Sequence, residues 1–346
     1  MLAFVAGRLV WAVTLVFVIS LITFALFFAL PPNAAGSNRQ GQVAPNLQVQ
    51  FNLDGRASFA GEYRVFLDRV VRHGDLGNSL RQPRSVREII GKALPVTASL
   101  VIGGTIVWLL LAFSIGLLSA LKPRSLLDKG LMVFALIGIS IHPIWLSLVF
   151  SYLLGFKLGA FPVAGYCDFF YRPGASSLCG GPKYWAYHMV LPWFTFALLF
   201  AALYARMIRA GVLEALSEDY VRTAWAKGAG TWRVLRRHAL RNALLPVISM
   251  AGMDLGLAFG GAIFIETAFG LPGMGSVLYR ALLSSDLPVI MGIVLVVSVA
   301  ITLANTLADV VYRVIDPRFR QLRERSFAVE PRWRLRPDAQ ITQSRP

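Results

Sequence analysis

The chain has 346 residues, of which 56% are hydrophobic and 15% are charged, and it carries a formal net charge of +16. Soluble domains average roughly 25% charged residues, and in this chain the charges lie between long uncharged stretches. This composition excludes a soluble enzyme, a disordered tail and a secreted scaffold held together by disulfides.

Six stretches are apolar for long enough to cross a bilayer, which takes roughly 20 residues in a helix. They cover residues 9–30, 93–121, 131–156, 184–205, 242–265 and 287–308, and only the fifth contains a charge, Asp254. A helix satisfies its own backbone hydrogen bonds, so it suits surroundings without water. The sequence therefore predicts an all-α integral membrane protein with six transmembrane helices. The first apolar run is longer than that of a signal peptide, and we interpret it as an uncleaved span.

Basic residues set the predicted orientation, because short loops rich in Lys and Arg stay on the cytoplasmic side. Segments 122–129, 206–241 and 313–345 carry most of them, and all three lie on one side if both termini are cytoplasmic. The predicted domains are a first span (1–30), an extracytoplasmic lobe with an interfacial helix (31–92), a core with five spans (93–314), and a basic cytoplasmic tail (315–346).

The first outward loop is predicted to be partly folded. It opens with a polar, turn-rich segment, 31–46, and residues 63–71 then show apolar positions at helical spacing. After a break at 74–80, a second apolar stripe over residues 86–93 predicts a helix lying on the membrane surface before the second span. A connector does not need this much order, so we expect the lobe to contact the substrate route or another protein.

The two cysteines, Cys167 and Cys179, both fall in the second outward loop. An oxidising outer face favours a disulfide between them, and the alternative is two unrelated thiols. We predict the disulfide, because both residues lie on the side where disulfides persist. Closing a loop of this size stabilises a fold by about 3 kcal/mol on chain-entropy grounds.

Few ionisable residues fall inside the spans. Asp254 meets the ammonium group of a peptide in the translocation pathway, pairs with a basic residue on a neighbouring helix, or lies near the inner interface. Glu266 is expected at the outer interface. His142 precedes Pro143 in mid-span, where we expect a kink, with the imidazole or a water bonded to the carbonyl that proline leaves free. The histidines and cysteines lack metal-ligand spacing, and no metal site is predicted.

Residues 206–245 form a predicted cytoplasmic loop that is long for a connection between two helices. Ser217 is a candidate N-cap for a helix over residues 218–227, and Gly228 would end that helix. A second short helix is predicted over residues 232–241. Two short helices around a glycine would form a protruding knob whose apolar side, including Val221, Ala224 and Trp225, docks into a groove of another protein.

This loop resembles a known family. Residues 219–228 read Asp-Tyr-Val-Arg-Thr-Ala-Trp-Ala-Lys-Gly, and residues 237–246 read Arg-His-Ala-Leu-Arg-Asn-Ala-Leu-Leu-Pro. Both segments resemble the EAA loop of ABC importer permeases, and the likeness is closest to the dipeptide/oligopeptide branch and extends over nearly the whole chain. The sequence departs from the general motif in two places. Arg222-Thr223-Ala224 stands where other importers have Glu-Ala-Ala, and Arg241 replaces a proline.

The resemblance implies the transmembrane architecture of a type I ABC importer, in a permease that moves peptides across the cytoplasmic membrane of a bacterium. It implies as partners a second homologous permease, two cytoplasmic ATPase subunits, an extracytoplasmic solute-binding protein, membrane lipid and the peptide itself, and no nucleic acid. The partner ATPases would bind ATP and Mg²⁺, because this sequence has no G-x-x-x-x-G-K-[ST] loop; we expect no cofactor and no catalytic residue in it. The residues implied to couple to an ATPase are Asp219, Tyr220, Val221, Arg222, Thr223, Ala224, Ala226, Lys227, Gly228 and Trp232.

Two other classes of protein compete with this interpretation. A secondary transporter would need ionisable residues in several spans, where only Asp254 and His142 qualify. A membrane scaffold or receptor that transports nothing would not need the docking loop. Within the resembled family, importers of glutathione, nickel complexes and oligosaccharides are alternatives to an importer of peptides.

Overall fold

The computed structural model describes residues 2–29, 59–170, 179–236 and 240–315. The turn-rich segment at 31–46 and the basic tail after residue 315 lie outside the described residues. The helices, in chain order, are α1 (Leu2–Ala29), α2 (Phe59–Asp68), α3 (Val86–Leu121), α4 (Leu126–Ser140), α5 (Pro143–Phe150), α6 (Pro182–Ser217), α7 (Asp219–Ala226), α8 (Thr231–Val234), α9 (Leu240–Ala268), α10 (Met274–Ser284) and α11 (Leu287–Ile315). The π-helical turns Arg69–His73 and Ser151–Lys157 extend α2 and α5.

The all-α membrane fold predicted from the sequence is confirmed. Four helical segments are long and apolar enough to span a membrane: Val86–Leu121, Pro182–Ser217, Pro246–Ala268 and Leu287–Val311. A fifth span results if Leu126–Gly138 and Pro143–Lys157 are counted together. α1 has 28 residues, but its apolar part, Val10–Ala25, is shorter than a full span. The count of six spans therefore stays a prediction.

The third predicted span is broken in the middle. Its two halves, Leu126–Gly138 and Pro143–Lys157, are bent by 107° where the sequence predicted one helix with a kink. His142 has an extended backbone and accepts a hydrogen bond at Nδ1 from the amide of Ile144, at 3.3 Å. The imidazole thus caps the start of α5 through Nδ1, a role that the sequence did not predict. Pro143 occupies the first position of α5, where an amide hydrogen would have no helical partner.

α6 continues beyond the predicted end of the fourth span. Ile208 and Val212 are buried, so the apolar face of the helix extends through residues that the sequence assigned to the loop at 206–245. Ser217 is the last residue of α6, and its hydroxyl donates to the carbonyl of Glu214 at 2.7 Å. The predicted N-cap role of Ser217 is therefore wrong, and Glu218 occupies the N-cap position of α7.

The helix predicted to lie on the membrane surface at residues 86–93 is the first part of α3. Ser85 caps α3 by accepting a hydrogen bond from the amide of Glu88 at 3.3 Å. Val86, Ile90 and Ala93 are buried and pack with residues of α10 and α11. The prediction of an interfacial helix is wrong, because the apolar stripe faces protein.

The core of the molecule lies between α3 and α6, which pack more extensively than any other pair of described helices. Glycines on α3 allow this approach. A Cβ at Gly104 would lie 2.4 Å from Cδ1 of Phe196, and a Cβ at Gly116 would lie 2.6 Å from the carbonyl oxygen of Ala205. Trp108 is buried nearby and packs edge-on against Tyr204, with ring centroids 4.6 Å apart. α9 packs on α6, and α11 packs on α9 and α1.

On the predicted outer side, α2 packs against α1. Tyr63 and Phe66 of α2 are buried, as their helical spacing predicted, and both rings contact Phe24. The hydroxyls of Tyr63 and Ser20 are hydrogen bonded at 2.6 Å.

A disulfide joins Cys167 and Cys179, whose Cα atoms are 5.1 Å apart, as predicted.

Candidate functional site

The short helix α7 ends in a Schellman motif. The amide of Gly228 donates to the carbonyl of Trp225 at 2.9 Å, and the amide of Ala229 donates to the carbonyl of Ala224 at 3.1 Å. Gly228 has a φ of 79°. A residue with a side chain pays roughly 1–2 kcal/mol in this left-handed region, so glycine is the residue of choice there. The predicted role of Gly228 as the end of the helix, with a positive φ, is confirmed.

One residue of α7 holds the helix to its own chain. Val221 is completely buried, and α7 packs on α6 and α8. The sequence placed Val221 on the face that docks into another protein. That assignment is wrong, because the valine has no surface left for a partner.

The outward face of this segment is aromatic and basic. Tyr220 is 40% exposed, Trp225 is 44% exposed and Trp232 is 65% exposed. Among the other residues predicted to couple to an ATPase, Ala224 is half-buried, and Asp219, Arg222, Thr223, Ala226, Lys227 and Gly228 are exposed. The coupling residues implied by the family resemblance left out Trp225, although the pattern of the loop had placed this tryptophan on the docking side.

The predicted second helix is shorter in the structure. α8 covers Thr231–Val234, and residues 237–239 of the motif lie outside the described residues. Val234 and Leu235 are buried and anchor this part of the segment. Leu240 already belongs to α9, so the segment between α6 and α9 is shorter than the predicted loop at 206–245.

Asp254 lies on α9 and faces α6. Tyr204, which is completely buried, donates its hydroxyl hydrogen to Oδ2 of Asp254 at 2.6 Å. The partner that the structure assigns to this carboxylate is therefore a neutral hydroxyl, where the sequence suggested a basic residue or a substrate ammonium group.

Glu266 lies near the predicted outer end of α9 and is completely buried by protein groups. The hydroxyl of Thr97 on α3 donates to Oε1 at 2.5 Å, and the amide of Ser276 on α10 donates to Oε2 at 2.9 Å. The amide of Met274 donates to the same threonine oxygen at 2.8 Å. A Cβ at Gly273 would lie 2.3 Å from Cδ of Glu266, so a glycine is required beside the carboxylate.

Residues 112–321 match the family described as "Binding-protein-dependent transport system inner membrane component", and residues 1–101 match the N-terminal part described for such components. The chain belongs to this family. It is an ABC importer permease, as the loop at 219–228 implied.

Named relatives cover almost the whole permease. A Brucella abortus protein named as a peptide transport system permease is 33% identical over 325 residues, which are 92% of this chain and 99% of the relative. The dipeptide transport system permease protein DppB of Alkalihalophilus pseudofirmus is 32% identical, over 92% of this chain and 100% of the relative. The D,D-dipeptide transport system permease protein DdpB of Escherichia coli is 34% identical, over 89% and 95%.

One solved structure supports the fold. The MetNI methionine ABC transporter, in an inward-facing conformation, aligns with a TM-score of 0.51 over 66% of this permease and 96% of the matched chain. The sequence identity is 16%, so this likeness speaks for the fold alone.

Proposed function

We propose that this permease moves peptides inward across the cytoplasmic membrane of a bacterium and that α7 couples it to ATP hydrolysis on partner subunits. The observation that carries the proposal is the coincidence of the coupling motif at 219–228 with an exposed helix attached directly to the inner end of α6. The names of the relatives support peptides as the substrate class. The implied assembly contains a second homologous permease, two ATPases that bind ATP and Mg²⁺, and an extracytoplasmic solute-binding protein.

The connection between α7 and the core supports a mechanical role. α6 ends at Ser217 and α7 begins at Asp219, so Glu218 alone separates them. The completely buried side chain of Val221 also holds α7 against the rest of the chain. A force on the exposed aromatic residues of α7 and α8 would therefore move α6, and α6 runs through the core of the permease.

The exposed residues also suit a protein groove. Tyrosine and tryptophan bury large areas at interfaces with little loss of side-chain freedom, and they are enriched where partners bind tightly. Arg222 and Asp219 form a solvent-exposed pair with 3.5 Å between Nη1 and Oδ1. Such a pair holds its members weakly, so Arg222 is available to an acidic partner surface.

Substitution of Gly228 tests the coupling role. Gly228→Val forces a branched side chain into the left-handed region, at a cost of roughly 1–2 kcal/mol or more, and redirects the chain toward α8. We expect a stable permease that copurifies poorly with its ATPases or copurifies without substrate-stimulated ATP hydrolysis. The measurement is ATP hydrolysis and peptide uptake in vesicles that contain the full assembly.

Gly230→Val is the matched control. It introduces the same side chain two positions later, where φ is not positive and a Cβ has open space around it. We expect near-normal coupling for this variant. The coupling role of α7 is refuted if Gly228→Val accumulates normally and retains both activities at the wild-type rate.

A further inference from the structure

A buried ion pair joins three helices at the predicted cytoplasmic end of the core. Arg209 donates from Nε to Oδ1 of Asp128 and from Nη2 to Oδ2, at 2.8 Å each. The Ser119 hydroxyl donates to Oδ1, and the Arg124 amide donates to Oδ2 at 2.9 Å. Asp128 is only 3% exposed, and both of its carboxylate oxygens accept hydrogen bonds from protein donors. A two-pronged guanidinium–carboxylate contact fixes geometry as well as distance.

The carboxylate and its donors come from different elements. Ser119 belongs to α3, Arg124 to the turn after it, and Asp128 to the first turn of α4. Arg209 lies on α6 about two helical turns before Ser217, which places it about 12 Å along the helix from the start of α7. The pair therefore lies beside the route by which a movement of α7 would enter the core.

α4 is attached to the core differently from α3 and α9. Gly116 of α3 and Gly211 of α6 allow close contacts: a Cβ there would lie 2.6 Å from the Ala205 carbonyl oxygen and 3.2 Å from the Ala243 Cα, respectively. Close packing of this kind makes α3, α6 and α9 move together. Most other large side chains of α4 are exposed, Val133 and Leu136 among them. In its second half α4 also packs closely on α6, because a Cβ at Gly138 would lie 3.3 Å from the carbonyl oxygen of Leu198. At the inner end of α4, the contact with α6 that fixes its first turn is the ion pair.

The helix is interrupted between α4 and α5. α4 stops at Ser140, and Ile141 and His142 have extended backbones before α5 begins. The His142 ring packs edge-on against Phe264 of α9, with centroids 5.4 Å apart. The second half of the broken span thus packs on both α6 and α9, whereas the first half packs on α6.

We propose that Asp128 and Arg209 are a positioning pair that makes α4 follow α6 when the coupling helix α7 moves. The break at Ile141 and His142 would otherwise let α4 swing separately from α5 and the core, and the pair prevents this. This inference rests on the proposed function of α7. Without the pair, ATP hydrolysis would still move α6, but α4 would lag behind and less peptide would cross for each ATP.

The test uses the full assembly in vesicles and measures peptide uptake per ATP hydrolysed. Coupling free energies between sites are typically 1–3 kcal/mol, so we expect Asp128→Asn to lower this ratio about tenfold. Arg209→Lys keeps the charge but cannot make both parallel bonds, and we expect it to lower the ratio about threefold. If Asp128→Asn fails to accumulate, the uptake ratio of Arg209→Lys alone tests the proposal.

The matched control is Asp309→Asn. Asp309 of α11 pairs with Arg8 of α1 at 3.0 Å, so it also links two helices at the predicted inner end, but neither helix carries α7. Both side chains are partly exposed, and such pairs contribute little, so we expect the ratio to stay within about twofold of the wild type.

A second readout reports on α4 itself. Both native cysteines are joined in the disulfide, so an introduced Leu136→Cys can be labelled alone with a polarity-sensitive fluorophore. We expect ATP to shift its emission in the wild-type background and not in Asp128→Asn. The proposal is overturned by an unchanged uptake ratio, by an equal fall in Asp309→Asn, by a shift that persists in Asp128→Asn, or by its absence from the wild-type background. A wild-type assembly without ATP-driven uptake would refute the proposed function instead.

Discussion

The two ends of the helix bundle hold buried carboxylates in different ways. Asp128, at the predicted inner end, is neutralised by Arg209, whose side chain is 27% exposed. Glu266, at the outer end, is completely buried, and its donors include the hydroxyl of Thr97 and the amide of Ser276, which are both neutral. Breaking a contact with a guanidinium that borders water has a moderate cost, because water can replace the lost partner. Removing all the partners of a polar group in the interior destabilises the fold more strongly. The inner pair is therefore the less costly of the two contacts to remove, and the outer network suits a fixed frame.

A second outer carboxylate follows the same pattern. Asp286, in the turn between α10 and α11, accepts hydrogen bonds from the hydroxyl of Ser79 and from the amide of Leu80, the latter at 3.1 Å. Nearby, Nε of Arg81 donates to the carbonyl of Ser284 at 2.8 Å. These bonds tie the segment before α3 to the end of α10. At the predicted outer end, hydrogen bonds therefore connect the segment before α3 with the C-terminal end of α10 and the turn that follows it.

Replacing the outer carboxylate should have the largest effect on stability. Glu266→Ala leaves the Thr97 hydroxyl and the Ser276 amide without their acceptor and opens a cavity. Each unsatisfied buried donor costs roughly 1–3 kcal/mol, so we expect the free energy of unfolding in detergent micelles to fall by at least about 3 kcal/mol. Glu266→Gln, which keeps the volume and one carbonyl acceptor, is the control and should cost less than half as much. Equal stability of Glu266→Ala and wild type would show that the outer network is dispensable.

Removing the inner cation should have a smaller effect. Arg209→Leu leaves Asp128 with its two neutral donors and with access to water in the space of the guanidinium. We expect a loss of about 2 kcal/mol in the free energy of unfolding, less than the 3–5 kcal/mol typical of a fully buried pair. Glu88→Gln is the comparison, since the Glu88–Lys92 pair has an N···O distance of 2.6 Å but is exposed, and its loss should have no measurable effect on the free energy of unfolding. A loss at Arg209 as small as that at Glu88 would contradict the buried character of the inner pair.

The sequence predicted the features that depend on neighbouring residues. Apolar run length predicted the helices, glycine after a short polar helix predicted the Schellman end at Gly228, and two cysteines in one outward loop predicted the disulfide. Each of these signals lies within a few turns of the residue concerned, so no tertiary information was needed.

Features that depend on distant partners were missed. Glu266 is bonded to Thr97, 169 positions away, and Asp128 to Arg209, 81 positions away, so nothing beside either acid signals its burial. The stripe at 86–93 was assigned to lipid, because an amphipathic helix looks the same whether its apolar face meets lipid or protein. The sequence predicted only a kink at His142, because an uninterrupted apolar run is compatible with one helix or two.

Asp254 lies between the two ends, and removing its partner should have the smallest effect of the three. Tyr204→Phe keeps the ring that packs against Trp108 and removes only the hydroxyl that bonds to Asp254. One hydrogen bond contributes about 1 kcal/mol net, and the half-buried Asp254 can take up water in exchange. We expect the free energy of unfolding in micelles to fall by about 1 kcal/mol, and Asp254→Asn to cost the same within about 0.5 kcal/mol, since each variant weakens one shared bond.

If the tyrosine hydroxyl is the principal partner of Asp254, the double variant should cost no more than either single variant. A double variant that costs the sum of the two would contradict this pairing, and Asp254 would then have a second partner of its own, as the sequence suggested for a basic residue or a peptide ammonium group.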